Sequence, residues 1–349
     1  MYAIANTGDI LEAVLNTTSF ENTVISNTEV ALPAIISSTE VAMDLCLSDS
    51  SFMDKAMADE KWVYAIVNSP AWFARLLESD TAIESMSKSP LAMNTIAMSR
   101  SAMEKIVQTP KAYKIFNGST IALKAILDSG EASTLYLKGE PLADLIGNPT
   151  GIHFIVNNIV YLLNFLSSDT ARIQLFNSPV GMLETARSPL AMSTIVSTAN
   201  YVTELKTLEN SYKIINGESN ALNAILSNPT ATLNYLTDNA LADLVQNPIG
   251  MNYIANNNSY IVTLLLNPSA RVAMDTSNVV TEAINNSSYA LDAIFSNANA
   301  VISFFRDNLL ASVITSTYAM NHICNTQDYI NIMLLNNTAR AAMDTATVV

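Results

Sequence analysis

Charge is sparse in this chain. Asp, Glu, Lys and Arg supply 14% of 349 residues, against about a quarter in an average soluble domain. What charge there is runs acidic, a net −14 spread over scattered carboxylates. With no clustered basic face to hold a phosphate backbone, nucleic acid is excluded as an expected partner. Glycine is scarce as well, at nine isolated residues. No Gly-rich phosphate loop, Walker motif or nucleophile elbow can be built from them.

Histidine and cysteine number two each. His322 lies two residues from Cys324, which on a helix puts them on different faces, and no further ligands cluster nearby. A metal site needs about four ligands at close spacing, so none is expected. His153, in "GIHFIV", reads as a repeat residue rather than a catalytic base. Cys46 and Cys324 are too far apart in sequence to form a disulfide framework. Their apolar contexts, "MDLCLS" and "HICNT", read as two buried free thiols. With no acid, base, nucleophile or ligand constellation in view, the chain is expected to be no enzyme. It should have no catalytic residue, no cofactor and no small-molecule substrate.

Long hydrophobic runs are missing too. The densest, "IVYLLNFL", falls well short of the ~18 apolar residues that span a bilayer, so membrane insertion is not expected. The opening "MYAIANTGDILEAVL" lacks the basic start and apolar core of a signal peptide. Synthesis in a cytoplasm is the expectation.

What the chain does have is a repeat. In "SPLAMNTIAMSRSAMEKIVQTPKAYKIFNGSTIALKAIL", Ser89, Ser99, Thr109 and Ser119 stand ten apart. Counting each as position one, Ala92, Ala102, Ala112 and Ala122 take position four, with bulky apolar residues at five and eight. Apolar positions four, five, eight and nine make one wide face of a helix two turns long. The residue at position one is a fitting N-cap, and a following Pro suits the first helical position. Nine of the eleven prolines directly follow Ser, Thr or Asn, from Pro70 to Pro268. The spacing therefore predicts an all-α solenoid of very short helices, restarted about every ten residues. Such helices are unstable alone and persist only by stacking. A β-solenoid, the strongest competing fold, wants alternation and β-branched residues, whereas Ala and Met dominate here.

A longer period overlies the decad. "SPLAMNTI" (89–96) returns as "SPLAMSTI" (188–195), and "YKIFNG" (113–118) as "YKIING" (212–217), both 99 residues later. A partial third copy follows after a further 69: "NALNAILSN" (220–228) returns as "YALDAIFSN" (289–297). The expected organisation is one continuous repeat array over 1–349. It comprises divergent repeats at 1–88, block one at 89–187, block two at 188–287 and a partial block three at 288–349. Gly118, Gly217, Gly151 and Gly250 occupy equivalent places and read as helix C-caps or turns. Arg271/Asp275 and Arg340/Asp344, each four apart, read as ion pairs within a helix. Neither end carries a polar capping repeat of the usual solenoid kind, so the expectation is that either the ends dock on a partner or a next subunit, or the chain belongs to a longer assembly or polypeptide.

One segment stands apart. "EKWVYAIVNSPAWFARLLES" (60–79) holds both tryptophans. Trp62, Tyr64, Trp72 and Phe73 are either a bulkier core layer or an exposed anchor for a partner, since such residues concentrate at interface hot spots.

The unit Ser-Pro-x-Ala-Met-x-x-Ile, drifting through Ser-x-Ala-Met and Asn-Pro variants, resembles ten-residue repeats in virion proteins of tailed bacteriophages. Those are mostly tail-fibre-like and appendage proteins, and the resemblance covers most of residues 30–349. It implies a non-enzymatic structural component of a phage virion, a spacer or connector in the tail, baseplate, neck or fibre region. Its partners would be other virion proteins or copies of itself, and its location the virion. It carries over no functional residues. The alternative is a soluble or surface α-solenoid that binds another protein along one face.

Overall fold

The computed structural model describes residue 13 and residues 17–346. Among the described residues there are 33 helices of six to nine residues and no strand. All nine prolines that follow Ser, Thr or Asn open a helix, from Pro70–Leu76 and Pro90–Ala97 to Pro268–Asp275. Burial follows the decad as read from the sequence. In Pro90–Ala97, Ala92, Met93, Ile96 and Ala97 are buried, which are positions four, five, eight and nine. The fold is an all-α repeat solenoid.

The chain divides into two compact units, residues 1–174 and 175–349. Within each, a helix packs most heavily on the helix three further along. In the first unit Pro90–Ala97 packs on Thr120–Asp128. In the second, Pro179–Arg187 packs on Glu209–Gly217 and Pro248–Ala255 on Asn278–Asn285. Three ten-residue units thus complete one turn of about thirty residues. A helix of eight residues is only ~12 Å long, and it gains its apolar partners from the turns before and after.

The residue at position one explains how these turns are tied. Ser119 Oγ accepts from Ala122 N at 3.2 Å, capping its own helix, and donates to Ser87 O at 2.7 Å. Ser79 does the same to Ala82 N (3.3 Å) and Leu47 O (2.8 Å), and Ser287 to Ala290 N (3.1 Å) and Ala255 O (2.9 Å). Each acceptor lies 32 residues back, at position nine of a helix one turn earlier. One hydroxyl therefore satisfies an orphan N–H at a helix start and an orphan carbonyl at a helix end. Asn228 works likewise, with Oδ1 capping Ala231 N and Nδ2 donating to Val196 O. An Asp can cap but cannot donate, so Asp49 and Asp59 supply only the first half.

Within blocks one to three, one unit of each is one residue short. The N-caps Ser129 and Lys138 are nine apart, as are Asn228 and Thr237, and Asn297 and Arg306. Each short unit is a seven-residue helix followed by a residue in the left-handed region: Gly139 (φ 55°), Asp238 (φ 51°) and Asp307 (φ 49°). Glycine adopts this conformation freely, and Asp is one of the few others that tolerate it. These nine-residue units explain the offsets of the duplications. Nine tens and one nine make 99, and six tens and one nine make 69.

Gly151 and Gly250 are not caps or turns. They sit at position four, inside Pro149–Val156 and Pro248–Ala255 and buried. A Cβ on Gly151 would lie 2.5 Å from Asn117 O, and one on Gly250 would lie 2.3 Å from Asn216 O. The neighbouring carbonyl takes the space that alanine fills elsewhere. Gly118, by contrast, is the C-cap of Pro110–Asn117, and Gly217 ends Glu209–Gly217.

Candidate functional site

The nine-residue unit assembles the most elaborate side-chain cluster in each block. In block one, Asn117 is fully buried at position nine, normally an apolar place. Tyr136 donates its hydroxyl to Asn117 Oδ1 (2.8 Å) and approaches Tyr113 O (3.1 Å). Asn117 Nδ2 donates to Asp144 Oδ2 (2.8 Å) and Pro141 O (3.3 Å). Block two repeats every contact 99 residues on. Tyr235 reaches Asn216 Oδ1 at 2.9 Å, and Asn216 Nδ2 reaches Asp243 Oδ2 at 2.9 Å and Ala240 O at 3.0 Å. Burial, reinforced by Asp144 and Asp243 respectively, pushes the Tyr136 and Tyr235 hydroxyls well above the usual phenol range. The cluster ties the short unit to the helices before and after it, making a hydrogen-bonded corner, and offers no free nucleophile or base.

The third copy keeps the asparagine, as Asn285 just ahead of block three, and loses the tyrosine. Asn285 Nδ2 bonds Ser312 Oγ (2.7 Å) and Ser312 O (3.3 Å). The residue equivalent to Tyr235 is Phe304, and Asn285 Oδ1 is buried with no hydrogen-bond partner.

A cleft accompanies the short helix. In block two, Pro229–Tyr235 and Asn258–Leu266 leave a groove of about 430 Å³, lined by Leu226, Thr232, Leu233, Thr263, Leu266 and Pro268 among others. Leu233 is 68% exposed and Leu266 45%. The same groove in block one measures about 350 Å³, but Thr134 and Ser167 stand where block two has the two leucines. In block three the equivalent residues are Ile302 and Leu335, again exposed. The polar copy shows that the fold does not require apolar residues here. These grooves are the candidate interaction surface. None of the residues lining the block-two groove is charged.

A second triplicated cluster joins neighbouring turns. Tyr161 donates to Asp128 Oδ1 (2.6 Å), and Lys124 beside Asp128, then Tyr161, holds that carboxyl below its usual range. Block two has Tyr260 on Asn223 Oδ1 and Ser227 Oγ. Block three has Tyr329, stacked on Phe295 at 4.8 Å, with His322 Nε2 on Asp292 Oδ1 at 2.7 Å. The changing chemistry at constant geometry marks a structural tie.

Of the aromatic candidates, three are interior. Trp62 and Trp72 are fully buried and donate their indole N–H groups to Ile25 O (2.9 Å) and Ile36 O (3.0 Å), and Phe73 is buried beside them. Tyr64 alone faces outward, 65% exposed. The structure therefore does not bring the four together as one surface.

Cys46 is buried, and that burial, with Asp49 nearby, pushes its thiol far above the usual range. Cys324 is exposed, contrary to the sequence expectation, because no described turn covers its position nine. Arg271 and Asp275 are 3.6 Å apart, yet each does more between turns. Arg271 Nε donates to Ser303 O (2.6 Å), and Asp275 Oδ1 accepts from Asn308 N and Leu309 N, the start of the helix after the short unit. Arg340 donates to Asn337 Oδ1 (3.2 Å). No single described helix is long and apolar enough to cross a membrane.

Sequence reasoning missed the buried asparagines, the short units and the grooves. The available signal was arithmetic: 99 and 69 are not multiples of ten, and Pro229 and Pro248 are 19 apart. Compared with known proteins, the chain matches no family model and no curated protein.

Proposed function

We propose that this chain is a non-enzymatic structural component of a phage virion, a spacer or connector in the tail, baseplate, neck or fibre region. One observation supports the reading most. Whole blocks of 99 and 69 residues have been duplicated with their short unit, hydrogen-bonded asparagine and left-handed residue in place. Length has been added in pieces that keep the local geometry, as a spacer requires. The likeness of its Ser-Pro-x-Ala-Met unit to virion repeats points the same way. Its partners would be other virion proteins or further copies of the chain, after synthesis in the host cytoplasm. Mass spectrometry of purified particles tests this. Stoichiometric recovery of the chain supports the proposal, and its absence from particles whose host cells contain it sinks it.

The grooves favour a second reading, a protein-binding scaffold. Leu233 and Leu266 make an apolar, uncharged cleft where block one is polar. Replacing both by serine should leave thermal stability unchanged and abolish partner recovery in a pull-down. Unchanged recovery would remove the groove from consideration.

A further inference from the structure

The buried asparagines of blocks one and two are each followed by glycine: Asn117-Gly118 and Asn216-Gly217, the only two Asn-Gly pairs in the chain. This dipeptide is the most prone to deamidation, because no side chain hinders attack of the glycine nitrogen on the asparagine side-chain carbonyl. In the fold neither attack can occur. Asn117 Oδ1 is held by Tyr136, Nδ2 by Asp144 and Pro141 O, and Gly118 N is engaged with Ile115 O at 3.1 Å. Asn216 is held the same way by Tyr235, Asp243 and Ala240 O. Both side chains are fully buried.

We infer that Asn117 and Asn216 are latent modification sites that react only when their corner opens, and that the reaction stops the corner from closing again. The glycine nitrogen forms a bond to Cγ and loses its proton. The side-chain nitrogen leaves as ammonia, and a cyclic imide results. Water then opens the ring at either carbonyl, giving aspartate or isoaspartate. No oxidant or reductant is needed. A carboxylate at 117 would replace an N–H donor 2.8 Å from Asp144 and close to Pro141 O. At 216 it would meet Asp243 and Ala240 O. Two buried carboxylates in contact, with a carbonyl beside them, cannot both stay charged. The isoaspartate route also lengthens the backbone by one carbon. Local opening thereby becomes irreversible, which is how chemical change of an unfolded state turns stability into a lifetime.

Glycine is not required at either site. A Cβ on Gly118 would meet its nearest atom at 3.5 Å and one on Gly217 at 3.9 Å, both ordinary contacts. Gly118→Ala/Gly217→Ala should therefore keep the fold while slowing the chemistry. The full chain is held at mildly alkaline pH, in native buffer and in urea sufficient to unfold it. It is then returned to native buffer, followed by peptide mapping and circular dichroism. Conversion at 117 and 216 should be slower by at least ~10-fold in native buffer, since it waits on local opening. Refolding yield should fall in step with conversion in urea, and the double alanine variant should retain its yield. Equal conversion rates in the two buffers would overturn the inference. So would full refolding of converted wild-type chains.

Discussion

Tyr136 donates its hydroxyl to Asn117 Oδ1 at 2.8 Å, across 19 residues of chain and at the point where the repeat drops a residue. Block three supplies a natural deletion of this bond, with Phe304 in the tyrosine's place and Asn285 Oδ1 left bare. Phe304→Tyr should stabilise the protein by ~0.5–1.5 kcal/mol, the worth of a typical hydrogen bond. Tyr235→Phe should cost ~1–3 kcal/mol by orphaning Asn216 Oδ1. Urea unfolding of both variants checks this. A destabilised Phe304→Tyr would mean that the third corner is built differently from the first two.

Ser119 separates two functions of one hydroxyl. Ser119→Asn should be nearly neutral, because an amide both accepts and donates. Ser119→Asp should keep the cap and lose the bond to Ser87 O, and Ser119→Ala should lose both, at ~1–2 kcal/mol. The expected order of thermal stability is Asn, Asp, Ala. Equal stability of Asp and Asn would show that the bond between turns contributes nothing.

Gly151→Ala and Gly250→Ala should each cost ~1–3 kcal/mol, since a Cβ meets a backbone carbonyl that cannot rotate away. Gly147→Ala is the control. Nothing lies within 4 Å of its Cβ, and alanine in a helix gains ~0.5–1 kcal/mol over glycine. Differential scanning calorimetry of the three variants should separate them by sign.

Tyr136 and Tyr235 give the fold an alkaline limit. Burial, then Asp144 or Asp243, raises their folded pKa above the unfolded value. Above about pH 10, where an exposed tyrosine ionises, the unfolded chain has lost protons that the folded chain keeps. Stability therefore falls as pH rises from there. Tyr136→Phe/Tyr235→Phe should be less stable at neutral pH and show a shallower alkaline decline. An unaltered slope in the double variant would place the titration elsewhere.

Much of the local structure was legible in the sequence because its determinants are local. A Ser-Pro start, an Ala at position four and apolar residues at five, eight and nine are all read within ten residues. Pro90–Ala97 and its buried Ala92, Met93, Ile96 and Ala97 follow directly. The pairing of Ser119 with Ser87 O was not legible, because any of several turn lengths would bury the same face. Gly151 could not be assigned to a close approach until Asn117 O was located beside it. Cys324 was read as buried because its neighbours are apolar, but burial at position nine depends on a following turn. The candidate surface was least legible. Leu233 and Leu266 fall at positions six and ten, which the decad turns outward, but nothing within ten residues places the two beside one groove.

The central structural claim is that three short helices make one turn, so that side chains about thirty residues apart touch. Lys111 and Asp80 are 3.1 Å apart, Lys206 and Asp238 3.1 Å, and Lys55 and Glu21 2.7 Å. Zero-length carbodiimide cross-linking of the unmodified protein, read by mass spectrometry, reports these contacts directly. Amide links at 111–80, 206–238 and 55–21 are the expected result. Links joining units ten or twenty residues apart, with none near thirty, would contradict it.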